Sequence, residues 1–312
     1  MSKKRNNEIF IKTLFNINFW IVIFFLVRLY GITEPPLEVG HNWRQTTVTM
    51  VTRNFIEVNN NIFYPRIDIA GELTGITGME FPIYNYIIYL VSLVLGYQDW
   101  YGRLINLMIS SIGVRYFYLL IKKYFTKETA FNSSIILLST LWFTFSRKIM
   151  PDTFSVSLIL MSIYYGTNYL EKKNRYNLSL YFIFGLIGFL AKLPIGYLFI
   201  LFVPFIINKK IDPKRKIIFS IVSIFIILPV AWWYFFWVPY LVKTYGFWHF
   251  YMGNTFSEGF KLLILQTPQL LDRFDQTALK FIGFIVFVVG LFKVYQTDNK
   301  RLKLIFALTG FG

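Results

Sequence analysis

Nine ionisable side chains stand where charge is costly unless it has a task. Glu38, His41, Arg44, Asp68 and Glu80 fall in one polar stretch near the N-terminus; Arg103, Asp152, Lys192 and His249 follow at the ends of apolar runs or in later loops. A carboxylate or histidine within hydrogen-bond reach of a hydroxyl can take its proton as that oxygen attacks. Lysine and arginine can stabilise an anionic leaving group, most strongly where water is excluded. An oxygen ligand such as Glu80 can help to hold a divalent ion. All of this chemistry needs the groups on one side of the molecule.

The elements that must position them are set by composition. The chain of 312 residues is 55% hydrophobic and only 15% charged, where a soluble domain carries about a quarter charged residues. Several apolar runs of about 18 to 23 residues are long enough to span a bilayer core. They are continuous rather than alternating, so the expected spans are helices and not barrel strands. The net charge of +16 lies in short clusters between these runs, which is a topogenic pattern and not a nucleic-acid groove. There is no cysteine, so disulfides and thiolate metal sites are excluded.

Taken in order, the expected spans are Ile9–Tyr30, Leu104–Ile121, Ala130–Phe145, Phe154–Leu170, Leu178–Leu190, Ile195–Ile207, Ile217–Val238 and Leu279–Tyr295. The reading is one transmembrane domain over 1–312, all-α and polytopic, with its N-terminus in the cytoplasm behind Lys3, Lys4 and Arg5. Residues 33–102 form a large first extracytoplasmic loop holding seven of the sixteen carboxylates, and 239–278 a second polar loop. A last apolar run from Leu304 stops after about nine residues, too few to span, so a truncated C-terminus is expected.

Parity decides the topology. The segment at 82–95 is about fourteen residues long, short for a span and typical of a re-entrant or interfacial helix. If it does not cross, Lys122, Lys123, Lys127, the EKKNR turn and NKKIDPKRK all face the cytoplasm. If it does cross, each of these clusters faces outward, against the positive-inside bias. The re-entrant reading leaves Arg147 and Lys148 as exceptions. It also gathers all nine ionisable candidates at the outer face.

Two stretches are specific enough to carry a resemblance. MEFPIYNYIIYLVSLVLGYQDWYGRLINLMISSIG has a Glu-x-Pro turn, a short apolar helix and an arginine opening a span; SRKIMPDTFSVSLILMS has an Asp at a span start, and GLIGFLAKLP follows. In order and spacing these resemble the lipid-linked-sugar glycosyltransferases of the GT-C fold, glycosyltransferase family 39, with its protein O-mannosyltransferase-like and aminoarabinose-transferase-like groups. The resemblance implies a GT-C-like helix bundle with interfacial helices in its first outer loop. It implies transfer of a sugar from a polyprenyl-phosphate donor to a lipid, glycan or protein acceptor at the outer face of the plasma membrane, with membrane lipids around it and no nucleic acid.

On that resemblance Glu80 matches a carboxylate that can take part in binding a divalent metal ion, with His249 as a further candidate ligand. Asp152 matches an acid facing the same cavity, Lys192 a lysine placed for the carrier phosphate, and Arg103 an arginine opening the corresponding span. Arg44 and His41 join them as substrate-binding candidates. The expected acid of the first loop falls at Arg44 or Gln45 when aligned without gaps, so Glu38 and Asp68 are the candidate bases. Plainer readings stand beside these. Asp152 follows Pro151 at a helix start, where a cap explains it; Lys192 could snorkel; His249 lies among belt aromatics. The rival class is a lipid or solute transporter or flippase, which would favour inverted repeats and helices broken at midplane; no repeat is evident.

Because the chain has no cysteine, single cysteines report sidedness directly. A cysteine replacing Lys127 should react with a membrane-impermeant maleimide only after the cells are opened, whereas one replacing Glu72 should react in intact cells.

Overall fold

The computed structural model describes residues 13–37, 40–245, 256–273, 282–298 and 302–304. Its helices are α1 Ile17–Leu29, α2 Asn42–Glu57, α3 Ile83–Leu95, α4 Tyr101–Tyr124, α5 Lys127–Ser139, α6 Leu141–Phe145, α7 Pro151–Lys172 and α8 Arg175–Ala191. A 3₁₀ run over Leu193–Phe202, α9 Val203–Ile206, α10 Pro213–Trp232, a π-helical turn Trp233–Trp237, α11 Val238–Tyr245, α12 Phe256–Arg273 and α13 Ile282–Gln296 complete the order. Among the described residues there is no named strand, only an isolated bridge between Arg66 and Ile76. The architecture is all-α.

The chain packs as two compact units, one of Met1–Tyr197 with Lys209–Phe250, the other of Leu198–Asn208 with Tyr251–Gly312. In the first unit the helices start where side chains can satisfy exposed N–H groups. Asn16, Thr126, Asn174 and Asp212 each accept a backbone N–H at the start of α1, α5, α8 and α10. Pro151 opens α7, where its missing N–H costs nothing. In the second unit α12 carries Pro268 inside the helix, and α13 is apolar along nearly its whole length.

Three patches of core hold the first unit. Val48 of α2, Tyr84 and Ile88 of α3, Tyr101 of α4, Ile149, Phe154 and Leu158 of the α7 region and Ala191 of α8 form one cluster. Val51, Phe55, Ile67, Met79 and Tyr89 form a second, under the loop that follows α2. Ile17, Leu107, Val114, Leu138 and Phe143 join α1, α4, α5 and α6. Close helix approach is achieved where side chains are absent: a Cβ at Gly113 would lie 2.5 Å from the Ser157 side chain of α7. Gly75 sits at φ +73° with the Ile67 carbonyl oxygen where its Cβ would be, so only glycine lets the 66–76 loop close.

Three of the expected spans differ from the structure. The run from Ile9 to Tyr30 is interrupted at Asn16, whose extended backbone starts α1, and its residues 9–12 lie outside the described residues. The run from Ala130 to Phe145 is broken at Thr140, whose extended backbone ends α5 and starts α6 while its hydroxyl donates to the Leu137 carbonyl. The run from Ile195 to Ile207 is mostly 3₁₀ rather than α-helical. The polar loop expected at 239–278 contains α11 and α12, and α2 fills much of the first loop. Among the described residues two helices are long and apolar enough to cross a membrane, Tyr101–Tyr124 and the continuous rod Pro213–Tyr245.

That rod serves as a ruler. Ile217, Ile218, Ile221, Ile224, Phe225, Ile227 and Leu228 are exposed along it, an apolar flank bounded by Lys214, Arg215 and Lys216 below and by Trp232, Trp233, Phe235, Phe236 and Trp237 above. At about 1.5 Å per residue, Lys216 and the tryptophans are separated by roughly 24 to 32 Å, the thickness of a bilayer core. Pro229 removes one helical hydrogen bond from the rod, and the wider π turn follows one helical turn later.

Candidate functional site

Four of the nine candidates meet. Arg44, on the first turn of α2, donates to Glu80 Oε1. Lys192 Nζ, at the end of α8, donates to the same oxygen at 2.8 Å and lies 3.3 Å from Asp152 Oδ1 at the start of α7. Two cations and two carboxylates thus form one ionic group drawn from four separate chain segments.

Each member is fixed by backbone and core rather than by its partners alone. Asn85 of α3 donates to the Val48 carbonyl at 2.9 Å, tying α2 to α3 one turn beyond Arg44. Glu80 is carried on a turn whose Met79 carbonyl accepts from Trp233 Nε1 at 2.9 Å and whose Phe81 ring lies edge-on to Trp233. Lys192 leaves α8 in extended backbone after donating its N–H to Gly188. The Gly188 carbonyl also accepts from Ser155 of α7 at 2.6 Å, so α7 and α8 are joined beside the ion group.

Asp152 is positioned by a clamp. Asn106, fully buried in α4, donates to the carbonyls of Lys148 and Met150 at 2.9 and 3.1 Å. Its oxygen accepts from Thr153 at 2.9 Å and Ser110 at 3.3 Å, which uses every hydrogen bond an asparagine side chain offers. On the opposite side, Gln45 of α2 accepts the Ile149 N–H at 3.2 Å. The turn that starts α7 is therefore held from both α2 and α4.

Burial alone would push the Glu80 carboxyl up, but the Arg44 guanidinium and Lys192 ammonium outweigh it and hold it below its ordinary range. Burial likewise pulls Arg44 down, and Glu80 followed by Asp152 carry it above its ordinary value. Both groups stay ionised. The Asp152 side chain is 38% exposed and that of Glu80 11%, although the Asp152 Oδ2 atom is itself buried. Asp152 Oδ2 takes no hydrogen bond from the described residues.

The other candidates lie elsewhere. Asp68 is bound to Arg53 and to Asn54 Nδ2, the latter at 2.7 Å; Arg53 is nine residues beyond Arg44 on α2, about 13 Å along the axis. Arg103, fully buried, donates to the carbonyls of Ile32, Glu34 and Pro35 and so holds the start of the first loop. His41 precedes α2 in left-handed backbone with its ring edge-on to Phe145. Glu38 and His249 lie outside the described residues. Sequence reasoning misses Asn106 and Thr153, although an asparagine inside an apolar run is a signal in itself, because such a group must be satisfied there.

The residues present do not favour a metal at Glu80. Its Oε1 already carries two cationic donors, and no group of three His, Asp or Glu side chains gathers among the described residues.

Residues 80–233 match the family model described as dolichyl-phosphate-mannose-protein mannosyltransferase. The match covers just under half of the chain and supports a glycosyltransferase of the GT-C fold. The matched stretch opens at Glu80 and includes Asp152, Lys192 and Trp233, whereas Arg44 lies before it. Among curated proteins and among solved structures, none matches the chain.

Glu80 also gives the site a pH signature. Its folded pKa lies below the ordinary 4.5, so its contribution to stability is complete above that value and is lost as pH falls through the lowered one. Glu80→Gln leaves two cations with no shared carboxylate, a change of about 3–5 kcal/mol when an ion pair is buried. Thermal unfolding in detergent should show a large gap between wild type and Glu80→Gln at pH 7 that narrows below about pH 4.5. A constant gap across pH 3–7 contradicts the ionised bridge.

Proposed function

We propose that this GT-C glycosyltransferase is a polytopic protein of the plasma membrane that moves a sugar from a polyprenyl-phosphate donor to an acceptor hydroxyl at the outer face. The observation that carries the reading is the depth of the ion group. The turn that carries Glu80 is fastened through the Met79 carbonyl to Trp233, within the aromatic end of the Pro213–Tyr245 rod, and Trp and Tyr favour the headgroup level of a bilayer. A phosphate on a lipid carrier sits at that level while its isoprenoid tail stays in the apolar layer. The basic end of the rod lies one bilayer thickness away, and the positive-inside bias puts that end in the cytoplasm. The segment 82–95 then dips into the outer leaflet and returns; α3, at 13 residues, spans about 20 Å, short of a crossing.

The residues divide the work as follows. In the resting arrangement the charges of Arg44, Lys192, Glu80 and Asp152 cancel. Lys192, with Arg44 beside it, binds the donor phosphate. The acceptor oxygen attacks the anomeric carbon as the bond from that carbon to the phosphate oxygen breaks, and the phosphate leaves with the electron pair. The acceptor proton passes to Asp152, whose Oδ2 has no donor of its own. Neutralising Asp152 leaves Lys192 less compensated as the leaving phosphate gains charge, so the cation acts most strongly in the transition state. Attack opposite the leaving group inverts the anomeric centre. Glu80 holds the two cations and is itself too well paired to act as a base. Glu38 is the second candidate base; Asp68, with both oxygens engaged, is the weaker one. No step depends on a metal.

The test is transfer of radiolabelled sugar from synthetic polyprenyl-phosphate donors by the purified protein. Asp152→Asn should lower kcat by about 10²–10⁴-fold with little change in donor KM, and Lys192→Met should impair both. Full activity in Asp152→Asn with loss in Glu38→Gln would move the base to Glu38. Full activity in all three variants would overturn the site.

A further inference from the structure

The end of the first unit remote from the ion group carries charge that the transfer reaction does not use. Residues 122–128, 171–175 and 209–216 hold eleven Lys and Arg against three carboxylates, a surplus of eight that is half of the chain's net +16. Ion pairs and hydrogen bonds bring these segments together. Lys123 Nζ meets Glu171 at 2.8 Å and Asn168 Oδ1 at 2.8 Å, joining the ends of α4 and α7. Arg215, in the first turn of α10, donates to the carbonyls of Leu170 and Glu171 at 2.7 and 2.9 Å. The Glu171 carboxylate accepts from Lys123 and Tyr124, while Arg215 reaches only its backbone carbonyl, so this acid offsets little of the surplus.

Around this knot, Lys122, Lys127, Lys172, Lys173, Arg175 and Lys214 are exposed. The exposed apolar flank of α10 begins at Ile217 and Ile218, directly beyond Lys214 and Lys216. The cations therefore border the lipid-facing surface itself rather than a remote aqueous domain. A surface that is basic at headgroup level and apolar immediately beneath matches one ligand chemistry, an anionic headgroup joined to acyl chains.

We propose that this corner of α4, α7, α8 and α10 is a binding surface for anionic phospholipid, which collects there in preference to zwitterionic lipid and anchors the basic end against its leaflet. A polybasic cluster beside a membrane attracts anionic lipid through long-range charge, with the attraction lost beyond a Debye length. A topogenic role alone requires no selectivity among lipids once the protein is inserted. The surface rests on membrane embedding and not on the transfer chemistry, so a failed transfer assay leaves it standing.

The full chain, reconstituted in phosphatidylcholine bilayers, is examined by electron spin resonance with spin-labelled phosphatidylglycerol or phosphatidylcholine as probe. The motionally restricted fraction should favour phosphatidylglycerol by at least about threefold at 0.1 M salt and fall toward parity at 1 M salt. Combined Lys122→Gln, Lys172→Gln, Lys173→Gln and Lys214→Gln should remove most of the preference, while Lys243→Gln, at the far end of the same rod, should leave it intact. If the combined variant fails to insert, the salt response of the wild type decides. Equal association of the two probes, or a preference indifferent to salt, overturns the proposal. Binding of a single-stranded oligonucleotide by the detergent-solubilised protein, without lipid preference, would assign the face to nucleic acid instead and overturn it equally.

Discussion

A buried carboxylate that must satisfy two cations from different helices is the constraint on which the rest of the first unit depends. Glu80 cannot ionise in its burial without Arg44 and Lys192, and neither cation is comfortable there without Glu80. The requirement ties the start of α2, the turn before α3 and the end of α8 to one point. Asp152 is brought to the same point through Lys192 and by a backbone clamp that involves no charge. The ionic group is thus over-determined: its geometry is imposed by packing and hydrogen bonds, and its charges supply the reason for imposing it.

A site built in this way suits group transfer from a lipid carrier. Its charges cancel at rest, which in the proposed placement suits the dry edge of a bilayer. A single proton arriving at Asp152 disturbs the balance in the direction a leaving phosphate needs. The aromatic turn at Trp233–Trp237 holds the Glu80 turn in place, because Trp233 both packs against Phe81 and donates its Nε1–H to the Met79 carbonyl. Pro229 precedes that turn by one helical turn, and the turn itself is π-helical.

Much of this was legible in the sequence. Hydropathy gave the all-helical class, and the Glu-x-Pro turn, the Asp after Pro151 and the lysine of AKLP marked three of the four members of the ion group. Arg44 was named as a candidate, yet its pairing with Glu80 spans 36 residues of sequence and follows no local period. Periodicity could not show that Thr140 breaks an apolar run or that 193–202 winds as 3₁₀, since both stretches are uniformly apolar. The Asn106 clamp was hidden for a related reason: it acts on backbone carbonyls, and those carry no side-chain signature. Asp68 is a candidate base and Arg103 a candidate substrate-binding residue by type, and the partners that hold each are non-local: Arg53 with Asn54 for the first and the carbonyls of 32–35 for the second.

The bridge can be put to direct test by a double-mutant cycle. Unfolding free energies in detergent at pH 7 would be compared for wild type, Glu80→Gln, Lys192→Met and the double variant. A shared buried bridge predicts that the second substitution costs less once the first is made, with a coupling of roughly 1–3 kcal/mol. Strict additivity would mean that Glu80 and Lys192 do not depend on each other, and the site as described would not exist.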